Sequence, residues 1–529
     1  MSPTINKLKQ PEATFAFISL GCAKNTVDSE RMLGLLAQDG LILTPEPEDA
    51  DLVIINTCGF IEAARQESLA VIQEMLELKR QGQVKAVVVA GCLAERLREQ
   101  LLHELPEIDA LVGVFGREEI ALVCRKVLQQ TSALNRKQRK SRRQKNQAEE
   151  QSAKVSPTAM PQAHVERPFS QRGRRALPIL DESPADRRWL AMVEQRTIFR
   201  PAPSRPFSDQ ARLRITPRHY AYLKISEGCD RLCTFCAIPK MRGKHVSKPL
   251  EQILAEAREL ANDGVVELNL VAQDLTYYGL DLYGRPMLAE LLRQLDTVNG
   301  IRWIRLLYLY PMYITDELLS VIADSEKILH YLDIPLQHIN DRVLRRMQRR
   351  VTRSDIEQLL QRLRQAIPDL VLRTTMIVGF PGETEAQFQE LCEFVAQGHF
   401  QRLGVFTYSY EPETPSARMD GHLPEEVKEA RRDRLMEIQQ QVAFAWAQKQ
   451  VGRQLPVLIE GRDETGRILG RSYADAPEID GLVYVRRSSC RPGELVPVMI
   501  TSADGYDLVG EMVPASQSVC SSPLAPQAV

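Results

Sequence analysis

Apolar residues along this chain follow two alternating rhythms: short unbroken runs, and longer stretches where they recur every third or fourth position. Between residues 14 and 128 the runs are "TFAFISL", "DLVIINT" and "KAVVVAG", which predict buried parallel strands. "SERMLGLLAQDG" and "EEIALVCRKVLQQ" carry the helical period around them, predicting a doubly wound α/β domain over residues 1–130. From Tyr220 the alternation resumes with six more strands: "AYLKIS", "VVELNLVA", "IRWIRLLYL", "HYLDIPL", "LVLRTTMIV" and "LGVFTYSY". Helical stretches such as "LEQILAEARELAND", "MLAELLRQL" and "DIEQLLQRLRQAI" lie between them. Six βα units predict a partial TIM-like (β/α)6 barrel at 216–450, whose chemistry sits at the C-terminal strand ends. A long helix from Glu425 to about Gln450 stops at Gly452. Beyond it, "LPVLIEG", "GRILGRS", "LVYVRR" and "LVPVMITSADGYDLVGEMV" predict a small antiparallel β-barrel at 451–516, followed by a disordered tail at 517–529.

The pattern fails between 131 and 215. There "NRKQRKSRRQKNQAEEQSAK" is basic and polar, and "RPAPSRP" is rich in proline, so the segment predicts a disordered insert with one short helix at "RRWLAMVEQRTIF". Charge sharpens this picture. Thr131 to Arg218 holds 20 Lys and Arg against 8 Asp and Glu, although the whole chain has a net charge of −1. Such asymmetry marks an interaction segment or a linker. No apolar run reaches the ~20 residues of a membrane span, and the N-terminus lacks a signal-peptide core. A cytoplasmic protein is expected. Ten cysteines in 529 residues are too few for a disulfide scaffold, so clustered ones point to metal or redox chemistry.

The tightest cluster is in "SEGCDRLCTFCAIPKMRGK", where Cys229, Cys233 and Cys236 directly follow the first barrel strand. A closed zinc site needs a fourth ligand, and His245 is the nearest candidate. A four-iron, four-sulfur cluster can use three thiolates and leave one iron open. Zinc with a distant ligand stays open as the alternative on spacing alone. The C-x3-C-x2-C spacing, with Phe235 before the last cysteine, resembles the signature of the radical S-adenosylmethionine enzymes. That resemblance implies a cluster whose open iron chelates S-adenosylmethionine, and whose reduction releases a 5′-deoxyadenosyl radical. It also places Phe235 over the adenine.

A second trio, Cys22, Cys58 and Cys92, closes "LGC", "NTC" and "AGC", each directly after one of the three N-terminal strands. Parallel strands send these loops to one sheet edge, although isolated cysteines are also commonly buried as small apolar residues. "SLGCAKNTVDSE", "NTCGFIEAARQES", "EGCDRLCTFCAIP", "LVAQDLTYYG", "YLDIPLQHIN", "IVGFPGETE" and "GRSYADAPEIDG" resemble the methylthiotransferase family, in its RimO branch. The resemblance covers about 1–130 and 216–516 and leaves out the basic insert. It implies that Cys22, Cys58 and Cys92 hold a second four-iron, four-sulfur cluster, which carries a sulfur that one S-adenosylmethionine methylates. A second S-adenosylmethionine at the radical cluster then activates the β-carbon of an aspartate in small-subunit ribosomal protein S-twelve. A reductant such as flavodoxin or ferredoxin is implied too. Family pattern puts Gln273 near the cofactor's methionine, and Gly379 and Gly382 near its adenosyl part. His338 reads as structural, Cys124 and Cys392 as packed thiols, and Cys490 and Cys520 as residues without a role.

Substrate class needs a separate argument, because the sister branch, of MiaB type, modifies an adenosine of transfer RNA. The terminal barrel resembles a TRAM domain, usually an RNA-binding module. Residues 451–515 hold 7 Arg against 10 Asp and Glu, whereas phosphate binding favours a basic surface. With three acids in "YADAPEIDG", the barrel is expected to suit a basic ribosomal protein. The basic insert is a candidate contact for ribosomal RNA or a solvated linker. A zinc-stabilised RNA-binding protein is the reading from another class.

Overall fold

The structure, a computed structural model, describes residues 13–131, 133, 192–486 and 489–513. The chain divides into two compact units. Met1–Ile18, Leu35–Thr57 and Ser68–Arg200 form one, and Ser19–Gly34, Cys58–Glu67 and Pro201–Val529 form the other.

The first unit is built on six strands: β1 (Thr14–Ser19), β2 (Ile42–Leu43), β3 (Leu52–Thr57), β4 (Ala86–Gly91), β5 (Ala110–Val112) and β6 (Thr197–Ile198), in the order β2-β1-β3-β4-β5-β6. β3 and β4 are buried along their whole length, which is why they read as unbroken apolar runs. In the helix Glu62–Arg80, Ser68, Ile72, Met75 and Leu76 recur at helical spacing on the buried side. β2, β5 and β6 are only two or three residues long, too short to show any period.

β6 corrects the expected extent of the insert. Thr197 and Ile198 pair in parallel with Leu111 and Val112. Arg196 donates to the Pro106 carbonyl at 2.8 Å, and Arg200 bonds Glu119 at 2.6 Å. Further on, Arg214 bonds Asp263 and Asp209 bonds Lys248. Residues 192–215 are therefore structured. Their basic side chains look solvent-bound in sequence but meet acids and carbonyls that are remote in the chain. The disorder expected for the rest of the insert and for 517–529 falls outside the described residues.

In the second unit, β7 (Tyr220–Lys224) begins the partial barrel. The short strands β8 (Ser226–Glu227) and β9 (Val246–Ser247) form a separate antiparallel ribbon. The barrel continues through β10 (Glu267–Val271), β11 (Trp303–Leu306), β12 (Ile328–Asp333), β13 (Val371–Val378) and β14 (Arg402–Thr407). These six strands are all parallel and lie side by side in chain order, with β7 and β14 at the two edges. The intervening helices pack Leu, Ile and Val onto the outer face. No helix among the described residues is long and apolar enough to cross a membrane.

The terminal barrel comprises β15 (Gln454–Arg462), β16 (Ile468–Ser472), β17 (Val483–Arg486), β18 (Leu495–Asp504) and β19 (Asp507–Met512), closed in the order β15-β16-β17-β19-β18. Its pairings are antiparallel except β17 with β19, which is parallel. The acids of "YADAPEIDG" do not form the free negative surface that net charge suggested. Asp475 pairs with Arg402 at 2.5 Å, Tyr331 donates to Asp480 at 2.6 Å, and Tyr220 donates to Glu478 at 2.8 Å. The partners lie on β7, β12 and β14, so this loop plugs the N-terminal end of the partial barrel. Counting charge along the sequence could not reveal that these acids are already spent.

Candidate active site

Cys229, Cys233 and Cys236 lie on the loop leaving β8, at the C-terminal end of the parallel strands. The loop is stapled to the segment after β12. Thr234 donates through its backbone to the Met347 carbonyl at 3.1 Å and through its hydroxyl to the Arg346 carbonyl at 2.9 Å. Donors reach two of the sulfurs: the Arg231 backbone N–H approaches Cys229 Sγ at 3.4 Å, and Arg349 Nη1 approaches Cys233 Sγ at 3.6 Å. The guanidiniums of Arg231 and Arg349 each sit 4.1 Å from the centre of the Tyr310 ring, and Arg231 also pairs with Asp274 at 2.8 Å. Burial pushes the Cys229 thiol up to about 11, with the Arg231 N–H opposing it. Burial likewise pushes Cys236 up to about 12, and the neighbouring Cys233 adds to the rise. These thiols stay protonated unless a cation stabilises their thiolates. Sulfur-directed donors and nearby guanidiniums are what a thiolate-held iron–sulfur cluster requires. Among the described residues no group of three or more His, Cys, Asp or Glu is gathered closely enough to hold an ion as placed. His245 bonds Ser247 through Nε2 at 3.1 Å and packs its ring on Tyr277, while its Nδ1 is buried without a hydrogen-bond partner.

Phe235 meets Phe380 edge to face at 6.5 Å, and Phe380 meets Tyr408. Phe380 stands on the turn after β13, whose Gly379 and Gly382 have φ of +73° and +77°. A Cβ on Gly379 would come within 2.2 Å of the Lys428 side chain, and one on Gly382 within 3.2 Å of Arg346. The glycines form a left-handed turn whose Cα side packs against Lys428 and Arg346. Glu383 gathers this turn, accepting from the Gly379 and Phe380 N–H groups, and the buried His338 lies 3.5 Å from it. Asn340 donates its backbone N–H to His338 Nδ1 at 3.0 Å.

A dense polar cluster joins the strand ends to residues 22–28. Glu227 accepts from Lys224 at 2.9 Å, Arg242 at 3.1 Å and Gln273 at 3.1 Å. Burial raises the Glu227 carboxyl, but Arg242 and Lys224 outweigh it and hold it well below the usual carboxylate range. The same two cations bond Asp28, at 2.6 Å from Lys224 and 2.9 Å from Arg242. Gln273 Oε1 is buried with no partner. Gly21, beside Cys22, packs on Cys58: a Cβ on Gly21 (φ +96°) would lie 2.8 Å from Cys58 Cβ and 3.2 Å from its sulfur. Cys22 is exposed; the crowding around it opposes ionisation, but Lys24 and Arg242 outweigh that and lower its thiol. Burial raises the Cys58 thiol. Cys92 opens the helix Cys92–Leu97 of the first unit and is buried. Cys124 and Cys392 are buried, Cys490 contacts Met512, and Cys520 lies outside the described residues.

Sequence reasoning missed Arg231, Asp274, Tyr310 and Arg349. Arg231 was legible as a cation within the cysteine loop, but Asp274 and Tyr310 come from the segments after β10 and β11 and Arg349 from beyond the helix Asp341–Arg346, and only the fold brings them together.

Residues 14–113 match the Uncharacterized protein family UPF0004, residues 223–395 the Radical SAM superfamily and residues 451–513 the TRAM domain. The ribosomal protein uS12 methylthiotransferase RimO of Lachnoclostridium phytofermentans is 43% identical over 93% of this chain and 98% of its own length. Its counterpart in Symbiobacterium thermophilum is 45% identical over 94% of this chain and 90% of its own. That of Anaeromyxobacter sp. (strain K) is 43% identical over 96% of each. Among solved structures, the radical S-adenosylmethionine methyltransferase TsrM of Kitasatospora setae aligns with a TM-score of 0.47 at 13% identity, over 76% of this chain and 74% of that one. The chain belongs to the RimO family of ribosomal protein uS12 methylthiotransferases.

Proposed function

We propose that this protein is a radical S-adenosylmethionine methylthiotransferase that modifies the β-carbon of an aspartate in ribosomal protein uS12, the S-twelve protein of the small subunit. The observation that carries this is the end-to-end identity, 43–45%, with uS12 methylthiotransferases. It favours the protein-directed branch over the transfer-RNA branch without help from the barrel's net charge, most of whose distinctive acids are internally paired.

Cys229, Cys233 and Cys236 would hold one four-iron, four-sulfur cluster, and Cys22, Cys58 and Cys92 the other. Bound there, the clusters and S-adenosylmethionine supply the radical that takes an unactivated hydrogen and the methylthio group that replaces it. The chain's own residues prepare that chemistry. Arg231 and Arg349 offset the negative charge of the first cysteine trio. Gln273, held to Glu227 through its amide nitrogen, keeps a buried acceptor free for the ammonium of S-adenosylmethionine. Phe235 and Phe380 make an apolar wall for the adenine, and Gly379 and Gly382 form the turn that sets Phe380 in place. An acidic electron donor such as flavodoxin or ferredoxin serves as reductant, the basic insert adds a contact to ribosomal RNA, and the enzyme works in the cytoplasm.

The test is anaerobic reconstitution followed by incubation with S-adenosylmethionine, a reductant and uS12. Methylthiolated aspartate and 5′-deoxyadenosine are expected. The Cys229→Ala variant should keep about half of the iron and form no 5′-deoxyadenosine. Colourless protein with stoichiometric zinc and no turnover would contradict the proposal.

A further inference from the structure

The cations on these strand ends are not equally committed. Lys224 and Arg242 each pair with both Asp28 and Glu227, and Arg373 pairs with Asp333 at 2.9 Å. Lys24 is different. It is only 8% exposed, yet no carboxylate of the described residues forms an ion pair with it. Its Nζ makes a single long bond to the Ala272 carbonyl, at 3.4 Å, and lies 3.6 Å from the centre of the Tyr308 ring. Cys22 is the foremost anion-former near it and acts on it through space ahead of Glu227 and Asp333, both of which are held by other cations.

A buried ammonium with no carboxylate partner and one long hydrogen bond keeps donor capacity that an incoming anion can use. The position of Lys24 says which anion. Ala272 is one residue beyond β10 and Tyr308 two beyond β11, so the ammonium sits at the reactive end of the barrel, two residues from Cys22. Tyr308 is held there at a φ of +65°, a conformation that non-glycine residues seldom adopt, and its backbone N–H is anchored on Asp333 at 3.1 Å. The ring thus forms a fixed floor beneath the ammonium and leaves its N–H groups for an incoming acceptor.

We propose that Lys24 binds the carboxylate of the substrate aspartate and so selects an acidic side chain over a neutral nucleobase. This rests on the methylthiotransferase reading given above. An aspartate presents two charged acceptor oxygens beside the carbon to be modified, whereas an adenine carries no negative charge for an ammonium to recognise. Lys24 is a substrate-binding residue here, and the hydrogen removed from the β-carbon does not pass through it.

The experiment uses the reconstituted holoenzyme and two labelled peptides spanning the uS12 target loop, one with the aspartate and one with asparagine in its place. Wild-type enzyme should bind the aspartate peptide roughly 10- to 100-fold more tightly. Lys24→Met should bind both alike, at the weaker level, and Lys24→Arg should keep the preference. Iron and acid-labile sulfide contents report whether both clusters are present. If Lys24→Met loses iron, the Lys24→Arg variant and the wild-type peptide preference decide. Retention of the aspartate preference in Lys24→Met would overturn the inference, as would equal binding of both peptides by wild type. Wild-type enzyme that binds neither peptide but captures a transfer-RNA anticodon stem-loop would overturn the methylthiotransferase reading itself, and this inference with it.

Discussion

The two ends of the partial barrel are both lined with buried charge, and they use it differently. At the N-terminal end Glu267 is clamped by Arg305 at 2.9 Å and Arg471 at 2.6 Å, Asp475 by Arg402, and Asp480 by the Tyr331 hydroxyl, with Arg373 at 3.8 Å. Each of these carboxylates meets a partner from another strand or from the terminal barrel. At the C-terminal end the clamp around Glu227 and Asp28 is just as tight, but next to it Lys24 has no carboxylate and Gln273 Oε1 no donor. Burial alone does not mark a functional residue in this molecule. A buried group with a valence left over at the reactive strand ends is a candidate for a ligand, because an unmet polar group in a dry site has a cost that a bound partner removes. The lower end locks the TRAM barrel onto the catalytic one, and the upper end is prepared for a visitor.

The largest break in this comparison should come from Glu267→Ala. It strands two buried arginines and should destabilise the protein by about 3–5 kcal/mol in denaturant unfolding. Next in size is the response to acid. Burial raises the Glu267 carboxyl, but Arg471 and Arg305 outweigh it and hold it below its ordinary 4.5. Its stabilisation is therefore present above pH 4.5 and lost as the pH falls towards the folded value. Unfolding free energy should drop on acidification below 4.5, and Glu267→Gln should flatten that drop. Tyr331→Phe, which removes the donor to buried Asp480, should cost about 1–3 kcal/mol by the same unfolding measurement. The smallest change is expected at the upper end. Lys24→Met should shift stability by less than about 1 kcal/mol, since it strands no carboxylate and breaks only one long hydrogen bond. A loss at Lys24 as large as at Glu267 would erase the distinction between the two ends.

Much of this architecture was legible in the sequence. Most of the barrel strands and the helices between them were visible because β7, β10, β11 and β12 are buried nearly throughout and the helices bury one face. The cysteine triplet was visible because its spacing is local. Three things were not. β2, β5 and β6 are held by neighbouring strands and leave no period of their own. Arg196, Arg212 and Arg214 read as linker charge because their partners, including Glu30 and Asp263, lie remote in the chain. The acids of "YADAPEIDG" read as a surface patch for the same reason: Arg402 and Tyr331 are far away in sequence. Lys24 shows the converse. Nothing in "GCAKN" says that its ammonium is left without a carboxylate, because that is a property of everything packed around it.

Mass spectrometry of ribosomal proteins and transfer-RNA nucleosides, from cells with and without this gene, tests the central claim most directly. The account predicts that a methylthio group disappears from one aspartate of uS12 while the nucleosides are unchanged. An unaltered uS12 together with loss of a methylthioadenosine would contradict it.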